Sequence, residues 1–111
     1  MTDLNALAKE CYEIAKSKGF YSPAPTLDQR FMLIVTELAE AYEEHRDGRK
    51  VTEIYFNPDK PNKPEGIPIE LADAIIRILD FCGHSGIDIV SAIQIKMEYN
   101  KTRPHKHGRA F

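Results

Sequence analysis

The chain of 111 residues predicts an all-α fold, a four-helix bundle in a single domain spanning residues 1–111. Three observations predict it. Apolar residues recur at three- and four-residue spacing in four separate stretches, the period of a helix with one face turned to a core. Each stretch is bounded by residues that start or stop helices, with Asp, Thr or Pro in front and Gly or Pro behind. The one long irregular connection falls between the second and third stretches, an arrangement that suits a bundle.

Leu4, Leu7, Ala8, Cys11, Ile14 and Ala15 place the first helix at about residues 3–18. Asp3 or Thr2 can cap its start, and Gly19 is positioned to stop it. Phe20 to Pro25 contains two prolines and cannot continue a helix. Thr26-Leu27-Asp28-Gln29 has the form of a capping box and opens a second helix that runs to about Asp47, just before Gly48. Its apolar face carries Phe31, Ile34, Val35, Leu38, Ala39, Ala41 and Tyr42, and its acidic face Glu37, Glu40 and Glu44. From Arg49 to Gly66 the helical pattern stops. Val51 to Phe56 is β-prone and suits a short extended piece, whereas Asn57 to Gly66, with Pro58, Pro61 and Pro64, is too proline-rich for either regular element. A connection of that length in a small domain is expected to be functional or to pack against a partner. The third helix covers Ile67 to Cys82, with Pro68 in its first turn and Gly83 as its stop. Asp88 caps the fourth, which reaches about Thr102 with Ile89, Ala92, Ile93 and Met97 on its buried side. Lys96, Asn100 and Arg103 lie at i, i+4 and i+7 and so share one face. The basic tail, Pro104 to Phe111, is expected to be loosely ordered in a monomer.

Composition narrows the function classes. An apolar share of 42% and a charged share of 29% are those of a globular protein. The net charge of −2 gives no electrostatic case for nucleic acid or an anionic membrane as the main partner. No apolar run approaches the roughly 20 residues needed to span a bilayer. The N-terminal residues lack the basic and apolar regions of a secretory signal. Cys11 and Cys82 both fall on apolar helical faces, so buried thiols are expected rather than a disulfide, which fits a reducing cytoplasm.

The third helix is the most informative stretch. From Glu70 onward its polar side chains, Glu70, Asp73, Arg77 and Asp80, fall within an arc of roughly 80° when residues are spaced at about 100°. The rest is Ile, Leu, Ala, Phe or Cys, so neighbours are expected to enclose it. An unpaired carboxylate in such a setting is too costly unless it is paired, hydrated or bound to a metal. Glu37-x-x-Glu40 and Glu70-x-x-Asp73 each set two carboxylates one helical turn apart. If the two helices pack side by side, four acids converge and raise one another's pKa values unless cations neutralise them. Hard oxygen donors without His or Cys suit Mg²⁺ or Mn²⁺. Two plainer readings stand beside this one: acids at such spacing often line a solvated face, and acids near a helix N-terminus complement its dipole. Arg77, on the same stripe, reads as an internal salt-bridge partner rather than a ligand contact. Lys96, Asn100, Lys101 and Arg103 offer the point charges, amide and guanidinium fork that a phosphate chain needs, or else a solvated basic face. His105-x-His107 has metal-binding spacing but sits in the tail. Tyr12, Phe20, Tyr21, Phe31 and Tyr42 read mostly as core, with one or two left to stack on a base. There is no Gly-rich phosphate loop and no nucleophile–base grouping.

With these residues in view, the chain resembles the MazG-like, all-α nucleoside triphosphate pyrophosphohydrolases. The matching pieces are Glu37-Leu-Ala-Glu40, Glu70-Leu-Ala-Asp73, and Lys96-Met-Glu-Tyr-Asn100-Lys-Thr-Arg103-Pro, followed by His107-Gly108. The resemblance implies Mg²⁺-dependent hydrolysis of (deoxy)nucleoside triphosphates to monophosphate and pyrophosphate, as nucleotide-pool house-cleaning. It implies metal binding by Glu37, Glu40, Glu70 and Asp73, phosphate contacts from Lys96 and Asn100, and a homodimer or homotetramer with sites completed across subunits. Many relatives have Glu immediately before the first matching acid, where this chain has Thr36; the departure points to fewer metal ions or slower hydrolysis. The expected mechanism is metal-assisted attack of water on the α-phosphorus, with Glu37 or Glu40 taking the proton and the basic helix stabilising the departing pyrophosphate. The alternatives are a catalytically weak or inactive nucleotide-binding protein of the same fold and, more remotely, a di-iron bundle, whose Glu-x-x-His pairs are absent here.

Overall fold

Helices form where the apolar period runs and stop where the capping chemistry changes. The structure is a computed structural model and describes residues 3–105. It is mostly helical: α1 (Leu4–Ser17), α2 (Leu27–Arg46), α3 (Ile67–Ser85) and α4 (Ile89–Thr102), with a hairpin of β1 (Tyr55–Asn57) and β2 (Lys60–Glu65) between α2 and α3. Asp3 caps α1 by accepting from the Asn5 N–H at 2.9 Å. Thr26 and Gln29 form both bonds of the predicted capping box. Asp88 accepts from the Ser91 N–H at 3.0 Å and caps α4.

Two expectations about the chain's middle are corrected. Gly83 does not end α3; the helix continues to Ser85 and closes on Gly86, whose φ of 69° is left-handed. Gly83 serves a different purpose, because a Cβ there would collide with the backbone oxygen of Ala8. Its missing side chain lets α1 and α3 lie close together. The segment from Asn57 to Gly66 is also more regular than its prolines suggest. It supplies β2, paired antiparallel with β1 in the register Tyr55 to Glu65 and Phe56 to Pro64, with a register shift next to Asn57. A lone two-stranded ribbon has two free edges, where proline's missing N–H costs no ladder bond. The Tyr55 hydroxyl donates to the Glu44 carboxylate at 2.8 Å, tying the hairpin to the end of α2.

Helix α3 is central, running antiparallel to α1 on one side and to α2 on the other. Against α1, Leu79 and Cys82 bury with Ala8, backed by Leu7, Cys11 and Ile89. Both thiols are free, Cys82 buried and Cys11 half-buried. Helix α4 joins the others at its first turn: the Asn5 side chain donates to Asp88 at 2.9 Å and accepts from the Ile89 N–H at 3.0 Å. No residue of α4 is buried, including Ile93 and Met97 of its expected inner side. The expectation that neighbours enclose α3 is met only in part, since Leu71, Ile75 and Ile76 stay about half exposed. Among the described residues no helix is long and apolar enough to cross a membrane.

Candidate metal centre

The antiparallel packing of α2 on α3 decides which acids meet. Phe31 stands edge-on to Phe81 with ring centres 5.7 Å apart. Six residues further along α2, Glu37 lies opposite Arg77, whose Nε donates to Glu37 Oε1 at 2.8 Å. The same pairing direction brings the acidic turn of α2 to the acidic turn at the start of α3. Glu37, Glu70 and Asp73 each offer a carboxylate oxygen, and the three oxygens lie within 4.8 Å of one another. Glu37 is only 6% exposed. Glu40 is exposed and stands at the rim, its carboxyl against that of Glu70.

Electrostatics separates the three acids. Burial pushes Glu37 up, but the Arg77 guanidinium together with hydrogen bonding to the neighbouring Glu40 and Glu70 carboxyls outweighs it and holds the carboxyl below the usual range. Glu70 has no such cation. Burial raises it first, then the neighbouring carboxyls of Glu40, Glu37 and Asp73, and it reaches about 8. Asp73 is raised by burial and by Glu37, with Arg77 opposing. Glu37 Oε2 and Glu70 Oε2 are both buried and find no hydrogen-bond partner among the described residues. A buried oxygen without a partner is costly, and two of them in one cluster of hard donors are what a divalent cation would satisfy. The donor set therefore could hold a hard divalent cation.

Beside the acids, α1, α2, α3 and the connection between α1 and α2 line a half-open cavity of about 320 Å³. Glu37, Asp73 and Arg77 form one wall, and Phe20, Tyr21, Arg30, Asp80 and Phe81 are among the others. Tyr21 donates to Asp80 at 2.6 Å and accepts from Arg30 at 2.6 Å. The Arg30 guanidinium lies 4.6 Å from the centre of the Tyr21 ring. Sequence reasoning did not assign Arg30 or Asp80 a part here. Asp80 carried a signal, its place on the polar stripe of α3; Arg30 carried none.

The predicted phosphate contacts stand elsewhere in the chain. None of Lys96, Asn100, Lys101 or Arg103 lines the cavity or hydrogen-bonds an acid of the cluster. Lys96 and Arg103 flank the Tyr99 ring at 5.0 and 5.4 Å, and Lys101 pairs with Glu98 at 2.9 Å. The Thr36 hydroxyl donates to the Leu33 carbonyl at 2.7 Å, back along its own helix. His107 and Gly108 lie outside the described residues. Comparison with known protein families, with curated proteins and with solved structures finds no match.

Proposed function

We propose that this chain is a metal-dependent nucleoside triphosphate pyrophosphohydrolase of the MazG-like kind, cleaving (deoxy)nucleoside triphosphates to monophosphate and pyrophosphate in the cytoplasm. The observation that carries the reading is the meeting of Glu37, Glu70 and Asp73 within 4.8 Å, with two buried oxygens lacking partners. These three residues would hold Mg²⁺ or Mn²⁺, with Glu40 at the open side; such an ion neutralises phosphate charge and activates water. Glu40, exposed at the rim, accepts the proton of the attacking water and returns it to solvent. Tyr21, Phe81 and Arg30 give the adjoining cavity aromatic and cationic walls suited to a base.

The basic residues of α4 belong in this reading to a second copy. The accessible surface is 8536 Å², against about 6,200 Å² for a compact monomer of this mass. That excess exceeds the roughly 800 Å² that each partner buries in a standard interface. Phe31, Val35, Leu38 and Tyr42 form one stripe on α2, each about half exposed or more. Covering it in a homodimer or homotetramer brings Lys96, Asn100, Lys101 and Arg103 of one chain to the acids of another, where they stabilise the leaving pyrophosphate. Light scattering on the purified protein is expected to give two or four chains.

A screen of common and oxidised nucleoside triphosphates with Mg²⁺, scoring pyrophosphate against phosphate, tests the activity. The expected result is pyrophosphate release that Asp73→Asn abolishes. Phosphate as the product, or full activity in Asp73→Asn, would sink the reading. Thermal stabilisation by nucleotide without any product would mark a binding protein instead, the reading that Thr36 favours.

A further inference from the structure

We propose that Arg77 takes the place of one metal ion, so that the acid cluster is built for a single divalent cation. This rests on the metal reading above and goes beyond it by fixing the number of ions and the residue responsible. Arg77 follows Asp73 by one turn of α3, which keeps its guanidinium beside the acids. It engages one oxygen of Glu37 at 2.8 Å. The other oxygen, Oε2, is buried without a partner on a residue only 6% exposed, and Glu37 offers an oxygen within 4.8 Å of those of Glu70 and Asp73. Two-metal sites hold their ions about 3.5–4 Å apart, a spacing that one carboxylate spans by giving an oxygen to each. Here Arg77 already places a cation on one oxygen of Glu37.

Charge is compatible with that count. Glu37, Glu40, Glu70 and Asp73 carry four negative charges when ionised, so Arg77 with one divalent ion leaves one negative charge, within reach of exposed Glu40 and solvent, whereas Arg77 with two leaves one positive charge. Arginine cannot discharge by losing its proton, so the replacement is permanent. Thr36 supplies no carboxylate for a second ion, and it lines a separate pocket with Pro25, Gln29 and Met32 rather than the acid cluster.

The test is a Mn²⁺ titration of the full-length protein followed by electron paramagnetic resonance, on the wild type, Arg77→Gln, Arg77→Lys and Asp73→Asn. The wild type is expected to bind one Mn²⁺ per chain with the spectrum of an isolated ion. Arg77→Gln gains a second ion and a spin-coupled spectrum, and Arg77→Lys, which keeps the charge, stays at one. Two coupled ions in the wild type would overturn the proposal, as would a single ion in an Arg77→Gln variant whose circular dichroism shows it folded. The wild-type count decides by itself if that variant does not fold. A wild type that binds no Mn²⁺, or an Asp73→Asn that binds as the wild type does, overturns the metal reading itself.

Discussion

Where α3 meets the start of α1 the contact is apolar and close, with Leu79 and Cys82 against Ala8 and Gly83 lying under the Ala8 backbone oxygen; where it meets α2, the same helix presents Glu70, Asp73 and Arg77 to Glu37. The first contact follows the usual economy of a core, with small residues allowing two backbones to approach. The second buries like charges together, which costs stability in the absence of a cation. One helix thus divides its length between holding the fold and holding a site. Substitutions should separate the two halves.

The largest expected effect is on the charged half. Asp73→Asn should lower Mg²⁺-dependent pyrophosphate release by about 100-fold or more, the scale on which losing a positioned charge-stabilising group acts. Its melting temperature should not fall, because the variant removes repulsion rather than packing. Gly83→Ala should do the reverse. The new methyl group forces α1 away from α3 at a cost of about 1–3 kcal/mol, read as a lower denaturation midpoint, while Mn²⁺ binding at the acids persists. Equal damage to both properties by both substitutions would erase the division.

A pH series sharpens the comparison further. Glu70 titrates near 8 in the folded protein and at 4.5 as an ordinary glutamate. Its folded form holds the proton more tightly, so the stability it contributes is complete below pH 4.5 and is lost as pH rises through about 8. Metal-free protein should therefore melt at falling temperature across that window. Glu70→Gln should flatten the slope, and added Mg²⁺ should restore wild-type stability at the alkaline end. A smaller change is expected at the junction of α1 and α4. Asn5→Ala removes the bonds to Asp88 and to the Ile89 N–H, costing about 1 kcal/mol, with faster amide exchange in the first turn of α4 as its signature.

The parts of this molecule legible in the sequence are those governed by neighbours along the chain. Asp3, Thr26 with Gln29, and Asp88 cap the helices they were expected to cap, because a cap needs only the next three residues. The acidic turns were legible as pairs, since helical spacing fixes which side chains share a face. Gly83 was misread because a glycine in a helix looks the same whether it stops the chain or admits a second backbone, and only Ala8 distinguishes the two. The hairpin was missed because Pro61 and Pro64 forbid a central strand, while a free ribbon has no centre. The Arg30–Tyr21–Asp80 network joins three elements and left no periodic trace. The apolar stripe on α2 was visible, yet the same periodicity serves a core or an interface, so the sequence pattern did not say that one chain leaves it half exposed.

The central claim is that two acidic turns on α2 and α3 trap a divalent ion between them. Anomalous diffraction from crystals grown with Mn²⁺ tests it most directly. The expected result is one peak within coordination distance of Glu37, Glu70 and Asp73. Well-ordered acids with no peak among them, at Mn²⁺ concentrations that support binding in solution, would contradict the account.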